Sequence, residues 1–279
     1  MAIELVTQFK GYVDEQFSTE SKKSMLTNQD FAWDGAHTVK IYKSTTAEMN
    51  DYDRAGTGAN WSRYGKVQGI NATTEEMTLT KDRSFTVATD ALDEDETQGV
   101  LGSATVLARQ IREVVIPEVD THTYGVMCND AGHKPEALAL TEENIYTEIL
   151  KGNEALDDAE APETDRALVL TPASYTLLKK CPDVVMETDI GNELRLKGVI
   201  GLLDGCKVIK VPANRLPAGF GFMIAHPCAT VAPTKLESYV VHKNPPGISG
   251  YLLEGRVCYD AFVLDNKAKA IYYQAQPVT

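Results

Sequence analysis

From Trp33 to Thr89 the chain keeps strand periodicity over a length no ordinary loop reaches, yet holds too few apolar residues to build a core of its own. In the second half, EEMTLTKDRSFTVAT, the residues Met77, Leu79, Phe85 and Val87 occupy odd positions while Thr78, Thr80, Asp82, Ser84 and Thr86 occupy even ones. That is the period-two pattern of a half-buried strand. The first half, HTVKIYK, repeats it with Val39 and Ile41, and between the halves lies the glycine-rich polar tip DYDRAGTGANWSRYGKVQG. The stretch predicts a long two-stranded ribbon. Such a ribbon is marginal in water, because its apolar face has no cover and its edges stay unpaired. Cover is therefore expected from outside, with Met77, Leu79, Phe85 and Val87 as the face that receives it.

The rest of the chain has material for a core, since 43% of its 279 residues are hydrophobic. Forty acidic residues against 27 basic ones give a formal charge of −13, which excludes the uniformly basic surface of a sequence-independent DNA binder but not a local basic patch. The opening MAIELVTQFKGYVDEQF has neither a basic leader nor an unbroken apolar run, and no stretch is long enough to span a bilayer, so folding in a cytoplasm is expected. Cys128, Cys181, Cys206, Cys228 and Cys258 show no short paired spacing, and their odd number argues against a disulfide framework. They read as reduced, mostly buried small side chains.

Along the chain, an amphipathic stretch with Leu5, Phe9, Tyr12, Val13 and Phe17 leads into a polar segment, an arm more than a domain. After the ribbon, the acids Asp93 to Glu96 precede the best helical pattern, Val100, Ala104, Leu107, Ala108, Ile111 and Val115, with Pro117 expected to kink or interrupt it. Thr141 reads as the N-cap of another helix, carrying Ile145, Ile149 and Leu156 on one face. From Thr141 to Asp165 nine acids face a single base, Lys151, so that outer face is expected to be strongly negative and solvated. ALVLTP reads as a short buried strand, ASYTLLKK as a helix, and Asp204-Gly205 as the tight turn of a hairpin. The final third is largely β, giving an α+β chain.

Catalytic patterns fail on inspection. Ser249 has Gly247 two residues before it but Tyr251, not glycine, two after, so the nucleophile-elbow pattern is incomplete. Cys128 and His133 lack a second pair with zinc-site spacing, and the glycines of AGTG lack the strand and helix that a phosphate cradle needs. Asp51 and Asp53 beside Arg54 suit turn hydrogen bonds or intersubunit ion pairs, and Trp61 and Tyr64 suit anchors into a neighbour. No catalytic residue, metal or cofactor is expected.

The order of these stretches resembles the major capsid proteins of tailed bacteriophages, the family sharing the Hong Kong ninety-seven fold. The resemblance rests on DYDRAGTG with YGKVQ, LTKDRSFTVATDALDEDET, REVVIPEVDTHTYGVM, NIYTEILKGNEALDDAEAP, LDGCKVIKVP and RVCYDAFVLDNKAKAIYY, in that sequence. It implies an N-terminal arm over 1–32, an extended β-hairpin loop over 33–89, a peripheral domain with a spine helix over 90–140 and 228–279, and an axial domain over 141–227. It also implies pentameric and hexameric capsomers of an icosahedral shell around double-stranded DNA, with no sequence-specific binding and no membrane. A separate scaffolding protein, a portal and a decoration protein are the implied partners, and the virion capsid, assembled in a bacterial host cytoplasm, the implied location. An acidic wall would leave packaged DNA mobile. Some relatives join a loop lysine to an asparagine of the next subunit; Lys43, Lys66 and Lys81, with Asn244 and Asn266, are the residues available here. An encapsulin-like nanocompartment shell is the alternative within the fold, and a soluble α/β enzyme the remote one.

Overall fold

The computed structural model describes residues 21–28, 38–44, 46–56, 63–65, 68–69, 71–96, 102–181 and 199–277. Strands β1 (Thr38–Ser44) and β2 (Ala72–Thr78) pair antiparallel, from Thr38 opposite Thr78 to Ser44 opposite Ala72. β2 stops there, and the rest of the predicted return strand is a separate strand, β3 (Lys81–Asp90), in a different sheet. This corrects the expected ribbon: the compact unit is Trp33–Leu79, not 33–89. The cause sits at Thr80, whose amide and hydroxyl both donate to the Asp260 carboxylate at 2.8 Å and so turn the chain onto the strands of the C-terminal third.

In chain order the remaining elements begin with α1 (Ala91–Glu96), α2 (Ser103–Gln110), α3 (Ile116–Asn129), α4 (Ile145–Asp158), β4 (Ala167–Leu170) and α5 (Pro172–Lys180). β5 (Val199–Leu203), β6 (Cys206–Lys210), β7 (Phe220–Ala225) and β8 (Thr230–Val231) follow, then β9 (Thr234–Lys243), β10 (Gly250–Tyr259), β11 (Phe262–Val263) and β12 (Ile271–Ala275). The acids Asp93 to Glu96 do not lead into the long helix; they lie in α1, whose first turn is tied by Asp90 Oδ1 accepting from the Leu92 amide at 2.8 Å. Pro117 does not interrupt the long helix either. α2 and α3 are joined through a five-residue π turn, Ile111–Val115, and Pro117 falls in the first turn of α3. A proline ring clashes with the carbonyl four residues back and offers that carbonyl no donor, and a widened turn just before it opens the backbone there.

Each residue of β4 is apolar and buried, as a strand covered on both faces requires. The five-stranded sheet has the order β12-β7-β4-β6-β5, with β4 and β6 parallel and the other pairs antiparallel. Its side chains alternate between two cores. Ala167, Val169, Ile209, Met223 and Ala225 meet Tyr124 and Met127 of α3 and Leu26 of the N-terminal segment. Leu168, Leu170, Val208, Phe222 and Ile224 meet Ile145, Ile149 and Leu156 of α4 and Tyr175 and Leu178 of α5. The result is three layers, helix and segment, sheet, helices. β12 therefore shares a sheet with strands of the expected axial segment, so the 228–279 boundary does not follow the sheet.

A local signal acts as read at the β5–β6 hairpin. Asp204 (φ 49°) and Gly205 (φ 74°) make the tight β5–β6 turn, and Thr171 caps α5 by accepting from the Ser174 amide at 3.0 Å. α4 starts three residues later than Thr141 suggests, because Thr141 and Asn144 bond each other: the Thr141 amide donates to Asn144 Oδ1 at 2.7 Å. Of the expected arm, residues 21–28 pack onto the body, with Leu26 fully buried and the Asn28 amide donating to the Thr230 carbonyl at 2.7 Å.

Candidate assembly surfaces

In the unit Trp33–Leu79 the two strands are laced by polar pairs. Lys40 is ion-paired with Glu76, Lys43 with Glu75 at 2.9 Å, and the Thr38 and Thr78 hydroxyls are 2.9 Å apart. At its tip the Asp53 amide donates to the Arg63 carbonyl at 2.9 Å, and Asp53 Oδ1 accepts from the Gly56 amide at 2.8 Å, so this carboxylate closes its own turn. Asp51 and Arg54 are exposed. Tyr64 is 79% exposed and stands edge-on to Tyr52 with ring centroids 5.1 Å apart, while Met49 is fully exposed. Trp61 lies outside the described residues. Sequence reading named Tyr64 and missed Tyr52 and Met49; the signal was there, two more large side chains in a polar, glycine-rich tip.

The four residues expected to await cover separate into two pairs. Met77 and Leu79 are already 1% and 3% exposed within the subunit, so they are not contact residues for a neighbour. Phe85 and Val87 belong to β3, which lies in the three-stranded sheet β3-β10-β9. Phe85 stands directly opposite Gly255 of β10, which in turn stands opposite Tyr239 of β9, and the two rings close over the glycine with centroids 6.1 Å apart. Phe85 is thus partly covered from within the subunit, and both Phe85 and Val87 are half-buried.

Two buried carboxylates organise the body, and sequence reading missed both. Asp260 accepts four hydrogen bonds: two from Thr80, one from His122 Nε2 at 2.8 Å and one from the Ala261 amide at 2.9 Å. Burial acts to raise its pKa, but the bonds from His122, Thr80 and Ala261 outweigh it and hold the carboxyl below the usual range. It joins the start of β3, α3 and the end of β10. Asp120 of α3 pairs with Arg215 at 2.9 Å, both side chains almost wholly buried, and accepts from the Ser21 hydroxyl at 2.6 Å. The pattern that marks Asp260 is a lone acid in the apolar run VCYDAFV.

Burial pushes the Cys128 thiol up to about 12 and that of Cys206 to about 11, which keeps both chemically quiet, and all five cysteines are free. His133 stacks on Tyr272 instead of meeting Cys128, and among the described residues no group of three or more His, Cys, Asp and Glu could hold a metal. No described helix is long and apolar enough to cross a membrane. Lys43 is engaged with Glu75, and Asn244 Oδ1 accepts from the Gly250 amide at 3.2 Å; Lys66 lies outside the described residues.

No protein-family model matches the sequence, and no curated protein matches it either. Solved structures do. The capsid of the cyanophage P-SCSP1u aligns with a TM-score of 0.73 at 13% identity over 98% of this chain and 93% of that one. The mature capsid of bacteriophage PhiM1 gives 0.72 at 13% identity, over 98% and 92%. This is the fold of phage capsid subunits. A virus-like particle from Pyrococcus furiosus shares it less closely, with a TM-score of 0.50 at 12% identity over 86% of each chain.

Proposed function

We propose that the chain is a major capsid protein of a tailed bacteriophage, self-assembling into pentameric and hexameric capsomers of an icosahedral shell that encloses double-stranded DNA. The observation that carries this reading is the end-to-end match to phage capsid structures, more than nine-tenths of both chains. The role is structural, with no catalytic residue assigned. The exposed tip of the Trp33–Leu79 unit supplies the contact with a neighbouring subunit through Tyr52, Tyr64 and Met49, with Asp51 and Arg54 beside them, and Trp61, outside the described residues, serves as a further anchor. A separate scaffolding protein, a portal and a decoration protein complete the particle, which forms in the host bacterial cytoplasm.

An encapsulin-like compartment is the second reading, supported by the likeness to the Pyrococcus furiosus particle at its lower TM-score. Electron microscopy of the purified chain under assembly conditions tests the first: closed shells with fivefold and sixfold capsomers are expected, and a chain that stays monomeric on sizing chromatography overturns it. Particles from an infected host that contain enzyme and no DNA would favour the second.

A further inference from the structure

Two charged surfaces of the three-layer body are left over by the fold. One lies where β4 finishes and Lys210 closes β6 opposite Leu170: the ammonium groups of Lys179 and Lys210 stand 5.2 and 5.4 Å from the centre of the Tyr175 ring. Lys22 adds a third charge. Its ammonium donates to the Lys210 carbonyl at 3.1 Å, and its pKa is lowered by burial and by the nearby charges of Lys210 and Arg215. Lys179 and Lys210 are exposed and make no ion pair among the described residues.

The other surface lies at the opposite end of the same strands, where the chain enters β4. Asp158, Glu160 and Glu163 are exposed there and have no ion-pair partner among the described residues, whereas neighbouring Asp157 and Asp165 are engaged by Arg166 and Lys207. α4 has no base in its last turn, so the negative end of its dipole faces further carboxylates. Both surfaces concentrate like charge, and each is the complement of the other.

We propose that they are the two halves of one contact between copies of this chain, the acidic corner of one subunit seated on the lysine patch of the next. Because the halves lie at opposite ends of β4 and β6, the contact is head to tail, and a rotation that closes gives a ring. It rests on the assembly proposed above and names a contact within the capsomer. The occupant is a second copy because the matching charge is carried by this molecule, while a DNA duplex approaching the patch would meet a chain of net charge −13. Lysine ammonium groups suit such a contact, being hydrated point charges that select and steer a partner without a fixed fork geometry, and the guanidinium of Arg215, close to Lys22, is committed to Asp120.

Charge reversal tests it in the full chain. Lys179→Glu with Lys210→Glu, or Asp158→Lys with Glu163→Lys, should each raise the protein concentration for half-assembly at least about tenfold, and all four together should return it to within about threefold of wild type. Thermal unfolding of the unassembled chain serves as the folding control. Should a reversed pair fail that control, Lys179→Gln with Lys210→Gln must give a smaller rise of the same sign. Normal assembly of either reversed pair, or failure of the fourfold variant to recover, overturns the contact. So does binding of a short DNA duplex that the Lys179→Glu/Lys210→Glu pair abolishes while the fourfold variant still fails to assemble. A wild-type chain that forms no shell removes the capsid reading itself, whereas shells from every variant remove only this contact.

Discussion

Gly255 shows how little room a single position leaves. A Cβ built there would come within 2.3 Å of the Phe85 ring, so a side chain would push Phe85 out of the row it forms with Tyr239. Gly255→Val is expected to cost about 2–3 kcal/mol, seen as a lower urea midpoint at unchanged slope on the unassembled chain, with part of the loss recovered by adding Phe85→Ala. An unmoved midpoint would count against the packing. Asp260 makes the complementary case for a charged residue. Its carboxyl titrates below the usual unfolded value of about 3.9, so its contribution is complete above that pH and is lost as pH falls through the lower folded value. Asp260→Asn should lower Tm near neutrality, by about 2 kcal/mol of stability, and should flatten part of the acid decline in Tm. Alternation in the sequence read correctly which way Phe85 and Val87 face. It carried no information on their cover, because Gly255 and Tyr239 come more than 150 residues later, just as His122 and Thr80 lie 138 and 180 residues from Asp260.

At the scale of elements, short-range chemistry was legible and boundaries set by distant contacts were not. Asp204-Gly205 acts on its immediate neighbours and was readable; the stop of β2 at Thr78 depends on Asp260 and was not. The hairpin tip yields a test of its own. Tyr64→Ala and Trp61→Ala should weaken assembly far more than they move the unfolding midpoint of the unassembled chain, because the proposed contact is between molecules. Equal losses in both measurements would reassign these rings to packing within the tip. The N-terminal segment gives another. Asp120→Ala leaves Arg215 buried and removes the acceptor of the Ser21 hydroxyl, so a loss of about 3–5 kcal/mol is expected, with faster proteolysis near Ser21. Unchanged protease sensitivity would show that Lys22, Leu26 and Asn28 hold the segment without the Ser21 bond.

The whole molecule is built on pairings between distant parts of the chain. β12 completes the five-stranded sheet beside β7, Ile271 is fully buried, and Tyr272 stacks on Phe222 at 5.9 Å. The expected α+β class holds, while β12 crosses the expected division between peripheral and axial segments; strand order depends on topology, which local periodicity does not encode. That order has a consequence for a nascent chain. While residues 250–275 are still within the ribosome, β3 has no β10 to pair with, Asp260 is not there to receive Thr80, and β7 presents a bare edge. A partly made subunit therefore carries the residues of its docking surfaces on an unfinished body, and a docking-competent shape is deferred until synthesis has passed β12.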